Sequence, residues 1–122
     1  MDSILNSIKK LLGISNEETH FDSDIIMHIN TVFSILCQIG IGPTTSFSIT
    51  DENAVWDDFI EDYTNFNDIK TYMYLKVKLF FDPPLNSSVL SAIERQISEL
   101  EFRLSVDAVA KSLEVVNDDE II

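Results

Sequence analysis

The chain has 122 residues, 45% of them hydrophobic, with 21 acidic and 8 basic side chains for a net charge of −13. That length makes one domain around a single modest core. The acidic excess argues against ordinary phosphate-backbone binding, which needs clustered Lys and Arg, and against an anionic membrane as partner. It admits a basic protein partner, a cation or mimicry of DNA, and also serves simple solubility.

No window approaches ~18 uninterrupted apolar residues, so no membrane span is expected. The opening "MDSILNSIKKLLGI" lacks the apolar run of a signal peptide. A single cysteine, Cys37, excludes an intramolecular disulfide and fits an intracellular chain. The charge is uneven. Asp51 to Asp68 holds seven acids and no base, "NDDEII" closes the chain, and Ile25 to Thr50 has no Asp, Glu, Lys or Arg.

Ser3 to Leu12 predicts a short helix, with Ile4, Ile8, Leu11 and Leu12 on one face. Asp2 or Ser3 can cap its start, and Gly13 suits the left-handed position after its end. "SNEETHFDSD" is a polar connection whose Ser23 can cap the next helix, Asp24 to Ile39, with Asp24 favourable near the positive end. There Ile25, Ile29, Val32, Leu36 and Ile39 form the apolar face. Met27, Asn30, Thr31, Ser34 and Gln38 form the other, polar but uncharged. A solvated face on so charged a chain would carry Glu or Lys, so this face is expected to meet another subunit.

Gly42 to Asn65 is a long irregular loop, in which "FSIT" can form a short strand and "ENAVWDDFIEDY" a short helix capped by Asp51. A loop this long in a small domain is usually functional. The next segment is ambiguous at its centre, because Leu75-Lys76-Val77-Lys78-Leu79 alternates like a strand. Its flanks do not alternate, and sixteen residues is long for a strand. Phe66 to Phe81 is therefore expected to be a helix, ended by Asp82-Pro83-Pro84. It holds three of the eight basic residues: Lys70 and Lys78 on its polar side and Lys76 within the apolar arc. Lys76 is expected to be partly buried, with a carboxylate partner or its stem across a subunit seam.

Asn86, Ser87 or Ser88 caps the last helix. Val89, Leu90, Ile93, Ile97, Leu100 and Leu104 form its core stripe, with Glu94, Arg95, Ser98, Glu99 and Glu101 facing away. Phe102, Val106, Val109 and Leu113 start a second stripe half a turn round, which is expected to bind a partner. The expected organisation is a domain over 1–105 and an acidic tail over 106–122, helical on assembly. Truncation after Ser105 is expected to spare the fold and abolish incorporation into particles, and Ile121-Ile122 could fill a small apolar pocket on a partner.

No motif supplies chemistry. The three glycines form no phosphate loop. His28 lies nine residues before Cys37, about half a turn away on the helix, and His20 and His28 lack metal-ligand spacing. Asp57, Asp58, Glu61 and Asp62 are the best cation candidates but lack the alternating ligands and central Gly of a calcium loop. No catalytic, cofactor or metal site is expected, and the chain is read as no enzyme.

The stretch "SIKKLLGISNEETHFDSDIIMHINTVFSIL" resembles the opening of the small α-helical head–tail connector (head-completion or adaptor) proteins of tailed bacteriophages. "DIKTYMYLKVKLFFDPP" is similar to the third helix in some of them. The resemblance covers roughly residues 1–105. It implies an all-α bundle of about four helices that forms a ring joining the capsid portal vertex to the tail or neck and lining the DNA channel. The implied partners are further copies of the chain, the portal protein, a neck or tail completion protein, and packaged DNA passing without specific binding. No membrane is involved. The implied place is the head–tail junction of the virion, after synthesis in the host cytoplasm. The expected subunit interface is Met27, Asn30, Thr31, Ser34, Gln38, Lys70, Lys76 and Lys78. The rival reading is a small acidic inhibitor or DNA mimic acting on a nucleic-acid enzyme, which the clustering of acids in one loop and one terminus weakens.

Overall fold

The computed structural model describes residues 2–60 and 62–121, and the side chains of all of these except Tyr63 and 114–121. Four helices run in chain order: α1 (Ile4–Leu12), α2 (Asp22–Ile39), α3 (Phe66–Phe81) and α4 (Ser87–Ile121). Two short 3-10 turns, Trp56–Asp58 and Tyr63–Asn65, precede α3. The fold is all-α, and no strand occurs among the described residues.

Local chemistry sets the helix ends. The Ser3 hydroxyl accepts from the Asn6 amide at 3.2 Å and opens α1, while Gly13 closes it at φ 82°. Gly40, at φ 103°, closes α2. The Asn86 side chain accepts from the amides of Ser88 (2.8 Å) and Val89 (3.2 Å) and opens α4. The prolines after Asp82 end α3 as expected.

α2 starts at Asp22, earlier than a Ser23 cap would give, and Phe21 precedes it without a side-chain cap. The reason lies in Lys9. Its ammonium is buried, 2.8 Å from the Asp22 carboxylate, and donates to the backbone carbonyls of Glu18 (2.6 Å) and Asn16 (3.3 Å). One cation thus ties α1 to the connection and to the first turn of α2.

The core gathers Ile4, Leu5 and Ile8 of α1, Ile25 to Leu36 on one face of α2, Ile69 to Val77 of α3, and Ile93, Ile97, Leu100 and Leu104 of α4. Val89 is exposed, so the core stripe of α4 begins later than its sequence pattern suggests. The long loop joins this core through Ile49, Trp56, Phe59 and Ile60. Phe33 of α2 stacks against Phe47 and Phe59 at ring distances of 4.9 and 4.6 Å.

The loop differs from its expected elements. "FSIT" forms no strand; instead the Asn30 side chain accepts from the Ile49 amide at 2.8 Å and donates to its carbonyl at 3.0 Å. That amide takes the place of a neighbouring strand. The expected helix around Trp56 is reduced to one 3-10 turn. Val55 pairs with Ser3 in an isolated bridge, and the Trp56 ring donates to the Ser7 hydroxyl at 3.2 Å. These contacts with the start of α1 hold the segment in an extended approach that a longer helix would break. Gly42, at φ 91°, must remain Gly, since a Cβ there would meet the Phe59 ring at 2.3 Å.

Candidate interaction surfaces

The exposed side of α2 carries Met27, Thr31, Ser34 and Gln38. Met27 is 57% exposed, and Thr31 returns its hydroxyl to the Met27 carbonyl at 3.0 Å. Asn30 shares the same side in sequence, but its amide is turned inward onto Ile49. The surface is therefore a narrow apolar and hydroxyl face without charge, bordered by a structural asparagine.

The three lysines of α3 occupy different settings. Lys70 is half-buried, with its ammonium 5.9 Å from the Phe66 ring centre. Lys78 is also half-buried. The Lys76 side chain is 20% exposed and lies 3.8 Å from the Glu101 carboxylate and 5.6 Å from the Phe80 ring centre. Its carboxylate partner therefore comes from α4 of its own chain.

Glu101 does more than its outward position in the sequence stripe suggests. The same oxygen that faces Lys76 accepts from the Tyr72 hydroxyl at 2.8 Å. Tyr72 is fully buried. Burial first, and then the negative Glu101, push its phenol well above the usual tyrosine range. The three side chains fasten α3 to α4. Sequence periodicity missed Glu101 because it sits at the edge of the stripe, next to Leu100.

Beyond Glu101, α4 presents two unlike sides. Leu104 is buried, Ala108 lies against Gly40 so closely that a Cβ there would be 3.3 Å away, and Lys111 reaches Asp62 at 2.8 Å. Hydrogen bonds from Lys111 and then Thr64 hold the Asp62 carboxyl well below the usual carboxylate range. The opposite side carries Phe102, Val106, Val109 and Leu113, which are 70%, 48%, 59% and 57% exposed. Contacts within the chain thus reach Lys111, six residues past Ser105.

Between α4, the loop and the end of α2 lies a depression of about 440 Å³. Asp57, Asp58, Asp62 and Asp107 line it with Phe59 and Ala108, and Lys111 sits at its edge. Glu61, grouped with these acids in sequence, falls outside the described residues. Among the described residues no group of three or more His, Cys, Asp or Glu side chains is placed to hold a metal ion. No helix among them is long and apolar enough to cross a membrane.

The model of the phage connector protein family matches residues 4–111, most of the chain. The chain belongs to the phage connector family. No curated protein and no solved structure matches it. Membership identifies a phage head–tail connector with a structural role in the virion, acting with other head or tail proteins. The match ends at Lys111, whose ammonium reaches Asp62. It therefore takes in the start of the segment set apart as a tail, together with three of the four exposed stripe residues.

Proposed function

We propose that this connector forms a closed ring of identical subunits beneath the portal vertex, extends the DNA channel, and offers a platform to the next neck or tail component. The observation that carries the reading is family membership combined with two unlike surfaces on one small domain, the uncharged outer face of α2 and the acidic depression between α4 and the loop. A subunit within a closed ring meets its neighbours through two different patches.

In this reading Met27, Thr31, Ser34 and Gln38 pack at the subunit seam, with Asn30 holding the loop beside them. Lys70 and Lys78 meet acids of a neighbour, for which the depression bearing Asp57, Asp58 and Asp107 is suited by charge. Lys76 stiffens the same helix from the far side through Glu101. Phe102, Val106, Val109 and Leu113, with the acidic end of the chain, reach the portal or a tail completion protein. Ile122, one of the two terminal residues assigned to that contact, lies outside the described residues. An acidic channel wall lets packaged DNA slide without adhering. Residues 106–122 act in assembly, and the site of action is the head–tail junction.

Negative-stain microscopy of isolated neck complexes tests the ring. Closed rings that contain this chain support it; complexes in which the chain sits as a single copy refute it.

A further inference from the structure

We propose that the free chain pairs with a second copy of itself through α4, antiparallel, about a two-fold axis passing between Asp107 and Ala108. The surface concerned is the stripe Phe102, Val106, Val109 and Leu113, each side chain about half exposed or more. Its spacings of four, three and four residues have the 3.5-residue period of a coiled-coil seam, so the surface suits another helix. It points away from the side that packs Leu104 and Ala108 against the chain's own core.

The pattern also specifies which helix. Read outward from the proposed axis in either direction, α4 presents Val, then a small residue, then a large apolar one: Val106, Ser105 and Phe102 one way, Val109, Ala110 and Leu113 the other. An antiparallel second copy therefore sets Phe102 against Leu113 and Val106 against Val109, large beside large at the ends and small at the centre. That is the self-complementarity a two-fold interface requires.

Charge favours the same arrangement. Each copy carries a net charge of −13 and should repel the other. Of the four positions flanking the seam, Ser105, Ala110 and Ser112 are small and uncharged and let the backbones approach, and the fourth is Arg103. Arg103 is already paired with Glu99 at 2.7 Å, and Lys111 with Asp62 at 2.8 Å, so no unpaired cation enters the contact. The buried core residues of α4, Ile93, Ile97, Leu100 and Leu104, all lie on one side of the proposed axis. Antiparallel pairing displaces the two acidic bundles in opposite directions along the helices, whereas parallel pairing would set them side by side.

The four side chains expose on the order of a few hundred Å² of apolar surface. That is less than the roughly 800 Å² per partner of a standard stable interface. The pair is therefore weak and exchangeable. It covers the stripe in the free chain and yields it to a neck partner, and it does not depend on ring formation.

Sedimentation velocity over a concentration series tests the pairing. The expected result is a monomer–dimer equilibrium that V106E weakens at least tenfold, with helical content unchanged by circular dichroism. In a C37S background, the double variant F102C/L113C should oxidise to a covalent dimer linked between positions 102 and 113, and neither single variant should cross-link under the same conditions. A chain monomeric at every concentration, a dimer indifferent to V106E, or cross-linking by either single variant overturns the proposal.

Discussion

Asn30 holds Ile49 by both edges of its side-chain amide, one bond of 2.8 Å to the backbone N–H and one of 3.0 Å from the side-chain nitrogen to the carbonyl. A helix residue thereby does the work of a missing β-strand and fixes the start of the long loop. Asn30→Ala leaves both backbone groups of the buried Ile49 without their partner. It should cost about 2 kcal/mol, read as a lower urea midpoint. Asn30→Asp keeps only the acceptor and should fall between Ala and the natural residue. If Asn30→Ala unfolds at the same urea concentration as the unaltered chain, the loop is held by other contacts.

Lys9 is the buried cation of the fold. Lys9→Ala removes its ion pair with Asp22 and its bonds to the carbonyls of Asn16 and Glu18. Breaking such a pair leaves a partly buried carboxylate alone and should cost about 3 kcal/mol. Lys9→Met retains the apolar stem and should lose less. Thermal denaturation of both variants gives the order; equal losses would show that charge alone matters at this position.

Tyr72 should make stability fall at alkaline pH. Its phenol is held above the usual tyrosine value by burial and by Glu101, so the folded chain keeps the proton where the unfolded chain gives it up. The stabilisation is complete below the unfolded value of about 10 and is lost as pH rises from there toward the folded value. Tyr72→Phe removes one hydrogen bond to a carboxylate and should cost about 1–2 kcal/mol at neutral pH. It should also show a shallower decline above about pH 10. Parallel pH profiles for the two proteins would rule out this coupling.

Two contacts hold α4 to the rest of the chain beyond Leu104, Ala108 on Gly40 and Lys111 on Asp62, among the described residues. Truncation after Leu113 keeps Ala108 on Gly40 and Lys111 on Asp62. It should leave the melting temperature unchanged while reducing incorporation into particles. Truncation after Ser105 removes those two contacts as well and should lower the melting temperature by a few degrees. Particles that incorporate the Leu113 truncation normally would remove the terminal segment from assembly.

The helices were legible because their information is local. Apolar residues recur every three or four positions, Ser3 and Asn86 sit at starts, Gly13 and Gly40 at ends, and Pro83-Pro84 stops α3. The same logic resolved the strand-like run around Lys76 in favour of a helix. The polar ties were not legible, because each joins residues far apart in the chain: Lys9 with Asp22, Asn30 with Ile49, Trp56 with Ser7, and Tyr72 with Glu101. No periodicity marks which polar residue turns inward. Asn30 therefore read as part of an outer face, and Glu101 as solvated. The exposed stripe of α4 was legible for the opposite reason, since four apolar residues at helical spacing on the wrong side of a core helix stand out in sequence alone.

The most direct measurement is complementation of particles made without this chain. Cells infected by phage lacking it should accumulate DNA-filled heads and free tails that do not join, counted by electron microscopy. Adding the purified chain to that lysate should restore joined, infectious particles. Heads and tails that join normally in its absence would contradict the role of the chain as the connector between them.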